Sequence, residues 1–189
     1  MKLVLASASP RRAELLRQMG LEFEIKSVNI DESARLDEQP NAYVARLAKE
    51  KARAVKSLYP QTDVLVLGSD TSVIIGDQIL GKPVDKQHAL DMLETLSGRT
   101  HSVLTAVAVI GQSEQCIVSE SYVTFDSISQ SELEWYWSSG EPKGKAGAYA
   151  VQGLGAIFIR HLEGSFSSVM GLPIYETHRL LKNEGFYPS

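Results

Sequence analysis

The chain has 189 residues and carries 19 Lys and Arg against 23 Asp and Glu, a formal charge of −4. That length suits one sizeable domain or two small lobes, and a mildly acidic balance lacks the global footprint of a sequence-independent nucleic-acid binder. A composition of 43% hydrophobic and 22% charged residues argues against disorder, and the lone Cys116 excludes an internal disulfide or a Cys-cluster zinc site. The start is apolar only from Leu3 to Ala6 before Ser7 intervenes, too short for a signal peptide or a membrane span. A cytoplasmic globular protein, with neither membrane nor nucleic acid as partner, is expected.

Leu3 to Ala6 reads as a short buried strand. Ser9 is placed to cap a helix that begins at Pro10, runs to about Met19 and stops at Gly20. Phe23 to Val28 reads as a second strand, ending at Asn29-Ile30-Asp31-Glu32. A long helix is expected from Asn41 to Leu58, stopped by Pro60. Val64 to Leu67 is a compact apolar strand that ends at the turn-like Gly68-Ser69-Asp70-Thr71. Ser72 to Ile75 and Gln78 to Leu80 flank Gly76-Asp77, a hairpin turn. Asp85 caps a helix ending at Ser97-Gly98, after which His101 to Ile110 and Cys116 to Phe125 form a hairpin. Ser129 and Glu132 have capping-box spacing at the head of a short helix through Trp135 and Trp137. A Gly-rich stretch from Gly144 to Gly155 leads into a strand over Ala156 to Leu162, and a last helix runs from Pro173 to near Gly185. Helices interleaved with isolated strands and hairpins make this one α/β domain over 1–189 with a mixed sheet.

Several positions break local rules. Arg11 and Arg12 occupy a first helical turn, where the macrodipole disfavours each cation by about 0.3–1 kcal/mol. Either both side chains swing into solvent, or they and the free helix N–H groups bind an anion such as phosphate. Val44, Leu47, Ala48, Lys51, Val55 and Leu58 fall on one helical face, so Lys51 interrupts an apolar stripe. It snorkels to water or reaches an anion, and it needs a partner in either case. Asp70 stands at what reads as a strand's carboxyl end, where open α/β sheets place ligands. It and the pair Asp31-Glu32 are either ordinary turn acids or oxygen ligands for Mg²⁺. Lys82, held in extended backbone by Pro83, is a surface lysine or a further phosphate ligand. Gln152 lies among Gly147, Gly153 and Gly155, where backbone can approach a ligand closely. No Walker loop, dinucleotide fingerprint, nucleophile elbow or zinc spacing is present. Cations alternating with acids suit a polyphosphate–Mg²⁺ substrate, attacked by water without a protein nucleophile.

The chain resembles the Maf nucleotide pyrophosphatases, related in fold to the inosine triphosphate pyrophosphatases. The resemblance runs from Leu3 to about Leu181. Its motifs are Ser7 to Arg12, Asp31-Glu32, Ala48-Lys49-Glu50-Lys51-Ala52, Gly68-Ser69-Asp70-Thr71, Gly81-Lys82-Pro83, Leu96 to His101, Ala146 to Gly155 and Gly171-Leu172-Pro173. It implies an elongated mixed β-sheet with flanking helices and a deep cleft between two lobes, in a homodimer. It also implies cleavage of a nucleoside triphosphate between its α and β phosphates with a divalent metal, Mg²⁺ or Mn²⁺. Carried over, Asp70 is the catalytic acid, Glu32 and Asp70 face the metal, and Ser9, Arg11, Arg12, Lys51 and Lys82 bind phosphate. Arg12, Thr71 and Gln152 mark the branch acting on dTTP and UTP, an amide having both a donor and an acceptor for uracil or thymine. The alternatives are a 7-methyl-GTP pyrophosphatase and a nucleotide-binding division inhibitor without turnover; the cellular role is pool cleansing or division arrest.

Overall fold

The computed structural model describes residues 1–60 and 63–187. In chain order it contains β1 (Lys2–Leu5), α1 (Pro10–Gln18), β2 (Glu24–Ile25), α2 (Pro40–Lys56), β3 (Val64–Ile75), β4 (Gln78–Leu80) and α3 (Lys86–Leu96). There follow β5 (Thr100–Ile110), β6 (Glu114–Phe125), α4 (Gln130–Ser138), β7 (Ile159–Glu163), α5 (Phe166–Met170) and α6 (Ile174–Asn183), with short 3₁₀ turns at Ala146–Ala148 and Leu154–Phe158. Among the described residues the strands form one mixed sheet of order β2-β1-β3-β5-β6-β7, with β4 paired to β3. β1 runs parallel to β2 and β3, whereas β3/β4 and β6/β7 are antiparallel.

The chain divides into two compact units, and it passes between them inside β3, β5 and β6 and again at Met170–Gly171. The first comprises Met1–Asp70, Thr105–Ser119 and Gly171–Ser189, the second Thr71–Leu104 and Glu120–Met170. In the first, Leu3, Val4 and Leu5 of β1 and Leu65, Val66 and Leu67 of β3 are buried together with one face each of α1 and α2. α2 presents Val44, Leu47, Ala48, Ala52 and Val55 to that core; Leu58, expected on the same face, lies beyond the helix and is exposed. At Gly68 the helix lies directly on the strand: a Cβ there would collide with the Ala48 carbonyl and stand 2.9 Å from the Ala52 nitrogen. Only glycine permits that approach.

The second unit is built round Leu90, Leu93, Leu96, Val123, Phe125, Leu133, Tyr136 and Tyr149. Its local signals behave as the sequence predicts. Gly76 turns the β3/β4 hairpin at φ +58°, Asp85 Oδ1 accepts the His88 N–H at 2.8 Å, and Ser129 with Glu132 forms a reciprocal capping box.

Four expectations need correction. The strand expected over Phe23 to Val28 is only Glu24–Ile25, because its partner β1 ends at Leu5 and leaves nothing further to pair with. Ser9 occupies the N-cap of α1, but its side chain makes no capping bond; its N–H donates instead to Ser7 Oγ at 3.2 Å. The strand expected from Ala156 starts at Ile159, since the Glu141 carboxylate accepts the Leu154 and Gly155 N–H groups and holds that segment as a 3₁₀ turn. Asp70 is not at a strand end: β3 runs unbroken from Val64 to Ile75 and Asp70 sits within it, buried. Tertiary partners override the turn-like Gly-Ser-Asp-Thr composition, as the site below makes plain.

Candidate active site

Lys51 Nζ lies 2.6 Å from Asp70 Oδ1 and 2.7 Å from Glu32 Oε1. The residue that breaks the apolar stripe of α2 is thus the cation on which two carboxylates from different segments converge. The Lys51 and Asp70 side chains are 13% and 10% exposed, so this pair has left most of its water; Glu32 remains 44% exposed. Charge-assisted bonds of this length in a partly desolvated setting are strong, and an acid left there without its cation would be costly.

Glu32 rides on the segment between β2 and α2, and α2 ties that segment down. Tyr43 donates its hydroxyl to the Glu32 carbonyl at 2.9 Å, and Arg46 Nη2 donates to the Ser33 carbonyl at 3.0 Å. Arg46 also forks onto both Glu38 oxygens, at 2.6 and 2.7 Å, and reaches Glu50 at 3.1 Å. The hydrogen bonds from Arg46 hold the Glu38 carboxyl down at about 2. Burial, then the nearby Asp70 and Glu32 charges, push the Tyr43 phenol up, so it stays a neutral donor. Asp31 takes the ordinary role: its carboxylate accepts the Ser33 N–H at 2.9 Å and closes a turn.

Arg12 reaches across the fold rather than into solvent. Its Nε donates to the Gly171 carbonyl at 2.8 Å and its Nη1 to Ser7 Oγ at 3.1 Å. Ser69 Oγ donates to the same Gly171 carbonyl at 3.0 Å, so one backbone oxygen joins the Ser7–Arg12 turn to β3 beside Asp70. Desolvation lowers the Arg12 pKa, opposed by attraction to Asp70; Arg11 adds to the lowering and Glu32 opposes it. Arg11 and Arg12 stand at the head of α1, which has no acid in its first turn and no side-chain cap. An anion there would meet a helix N-terminus and two guanidinium groups.

Lys82, Thr71 and Gln152 belong to the second unit. Thr71 is covalently next to Asp70 on β3. Lys82 is exposed just after β4, and the Gly81 carbonyl beside it accepts the Gly147 N–H at 3.1 Å, linking its loop to the Gly-rich stretch. In that stretch Gln152 is exposed, in a turn where the Gly153 N–H donates to the Ala150 carbonyl at 3.3 Å. The structure therefore gathers Ser7, Arg11, Arg12, Glu32, Lys51 and Asp70 within the first unit, and links the Lys82 loop to the Gln152 stretch within the second.

The model of the family described as Maf-like protein matches residues 2–184. The chain belongs to the Maf family. Among curated relatives, it is 52% identical over 187 residues to a dTTP/UTP pyrophosphatase of Hahella chejuensis, covering 97% of this chain and 92% of that one. It is 49% identical over 180 residues to a dTTP/UTP pyrophosphatase of Acinetobacter baylyi, covering 94% and 97%.

The resemblance to this family implies a divalent cation, and the carboxylates present offer it a partial donor set. Among the described residues no group of three His, Cys, Asp or Glu is placed to hold a metal. Glu32 and Asp70 nevertheless each place one oxygen on the Lys51 ammonium, which keeps the two carboxylates side by side. Two carboxylates fit a hard cation that takes its other oxygens from water and substrate phosphate. No helix among the described residues is long and apolar enough to cross a membrane.

Sequence reasoning missed Tyr43, Arg46 and Glu38 as the fasteners of the Glu32 segment, and Gly171 as the joint between Arg12 and Ser69. Arg46 lies two positions after Val44 on α2, and its spacing from Tyr43 and Glu50 marks one polar face. Gly171 stood out only as part of the Gly171-Leu172-Pro173 motif and gave no sign of this role, because its partners are 159 and 102 positions away.

Proposed function

We propose that this Maf-family protein hydrolyses dTTP and UTP to the nucleoside monophosphate and pyrophosphate. The observation that carries the reading is the Lys51 ammonium shared by Asp70 and Glu32, in a fold unit that also holds the Arg11–Arg12 helix terminus. Names of relatives about half identical over nearly the whole chain supply the bases.

In this mechanism Ser9, Arg11, Arg12, Lys51 and Lys82 take the triphosphate oxygens, and the cations stabilise the charge that grows on departing pyrophosphate. Glu32 and Asp70 would hold the divalent cation, which when bound supplies Lewis-acid neutralisation of phosphate charge. Asp70 accepts the proton of a water whose oxygen forms the new bond to the α-phosphorus, while the bond from that phosphorus to the bridging oxygen breaks. Asp70 is oriented for this by Lys51, which fixes Oδ1. Arg12, Thr71 and Gln152 select the base. The proposal includes a homodimer working in the cytoplasm, to be checked by sedimentation and fractionation.

The test is incubation with Mg²⁺ and UTP, with phosphate measured with and without added inorganic pyrophosphatase. Phosphate appearing only with the helper enzyme is the expected result, and Asp70→Asn lowers kcat by about 100- to 10,000-fold. Phosphate released without the helper, or an Asp70→Asn variant as fast as the parent, overturns the reading. A panel with CTP and 7-methyl-GTP checks the base.

A further inference from the structure

The turn that carries Gln152 is held from behind by two residues outside the Gly-rich stretch. Tyr136, on α4 and fully buried, donates its hydroxyl to Glu141 Oε1 at 2.7 Å and accepts the Ala150 N–H at 3.2 Å. Glu141, just beyond α4, accepts the Gly155 N–H on Oε1 at 2.9 Å and the Leu154 N–H on Oε2 at 2.9 Å. The backbone is thus fastened two residues before Gln152 and two and three residues after it. The glycines belong to the same device. A Cβ at Gly153 would collide with the Glu141 carboxylate, and one at Gly155 would stand 2.6 Å from the Tyr136 hydroxyl. Gln152 itself is exposed and its side chain makes no hydrogen bond among the described residues.

Ala150, Val151 and Gly155 are buried, so the Ala150 and Gly155 N–H groups need protein partners. A buried phenol and a carboxylate with three donors supply them, and Gln152 is left exposed between these fastenings. Burial opposes ionisation of Glu141, but its bonds from Tyr136, Gly155 and Leu154 outweigh that and hold it below the ordinary carboxyl range. Burial and Glu141 push the Tyr136 phenol well up, so it remains a neutral donor. An amide side chain can present either its oxygen or its nitrogen to a base. Uracil and cytosine exchange donor and acceptor at N3 and C4, so Gln152 tells them apart only where its amide neither flips nor shifts; fixing its backbone removes the shift.

We propose that Glu141 and Tyr136 are positioning residues for base selection, fixing the turn from which Gln152 reads the pyrimidine edge. This rests on the reading of Gln152 as the base-contacting residue. Loss of the frame raises KM for UTP and lets cytosine in, while leaving the phosphate chemistry of the first unit in place.

The experiment measures kcat and KM for UTP and CTP in the full-length parent, Glu141→Ala, Gln152→Ala and the double variant. Tyr136→Phe serves as a second probe that keeps the ring in the core and removes only the hydroxyl. Glu141→Ala is expected to lower the UTP-to-CTP ratio of kcat/KM by about tenfold or more, mainly through KM, with kcat within about threefold of the parent. Tyr136→Phe moves the ratio the same way, Glu141→Gln by less because its amide retains one acceptor oxygen, and the double variant matches Gln152→Ala. If Gln152→Ala lowers the ratio and neither Glu141→Ala nor Tyr136→Phe does, the frame proposal falls and the base reading stands. An unchanged ratio in Gln152→Ala overturns both. Fully additive losses in the double variant overturn the proposal too, since Glu141 would then not act through Gln152.

Discussion

Lys51 and Asp70, 19 positions apart, meet at 2.6 Å because α2 can lie against β3 at Gly68. Lys51→Met leaves the buried Asp70 carboxyl without its ammonium partner, beside Glu32. We expect stability to fall by about 1–3 kcal/mol, and most of that loss to be recovered in the double variant with Asp70→Asn. Urea unfolding of the two single variants and the double one reads the coupling directly. Independent, additive losses would mean that the pair does not interact as described.

Gly68→Ala tests the same relationship from the backbone. Its methyl group has no room beside the Ala48 carbonyl and the Ala52 nitrogen, so helix and strand must separate. The expected cost is about 1–3 kcal/mol, with a fall in kcat from the displaced ammonium. Wild-type unfolding and turnover together would show that the contact is slack.

His101 gives the fold a pH dependence on the acid side. Its Nε2 pairs with the Tyr149 hydroxyl at 2.8 Å, while Nδ1 is buried with no hydrogen-bond partner among the described residues. Burial holds its pKa down at about 4, against an ordinary 6.5. Between those values the unfolded chain binds the proton and the folded one does not, so stability is full above pH 6.5 and declines as pH falls to 4. The integrated loss is roughly 3 kcal/mol at most. His101→Gln should flatten that part of the stability profile whatever its starting value; an undiminished slope would assign the effect to another group.

Glu38 acts in a lower window. With its carboxyl held at about 2 by Arg46, its contribution is complete above pH 4.5 and is lost as pH falls toward 2. Glu38→Gln should remove that component of acid unfolding and increase amide exchange over residues 31–38, the segment carrying Glu32. Unaltered exchange there would show that Arg46 fastens nothing of consequence.

What the sequence disclosed, and what it withheld, follows from the range of the forces involved. Caps, turns and amphipathic faces act over a few residues, so α2, the Gly76 hairpin, the Asp85 cap and the Ser129–Glu132 box were legible. Lys51 was legible as an anomaly, a cation on an apolar face, though not its partners. The unbroken β3 was not, because Gly68, Ser69 and Asp70 favour a turn until α2, Gly171 and Lys51 give each a reason to stay in a strand. By their own chemistry Asp31 and Glu32 were indistinguishable, and the family resemblance alone singled out Glu32; the structure turns one to the Ser33 backbone and the other to Lys51. The Glu141 frame was hidden for the same reason, since a carboxylate near a helix end carries no mark of the turn it will hold.

The carbonyl of Gly171 anchors both Arg12 and Ser69. A nascent polypeptide whose synthesis has not yet passed that residue lacks the acceptor on which these two side chains settle. The joint between the Ser7–Arg12 turn and β3 is therefore closed late in synthesis, once Gly171 itself has been added.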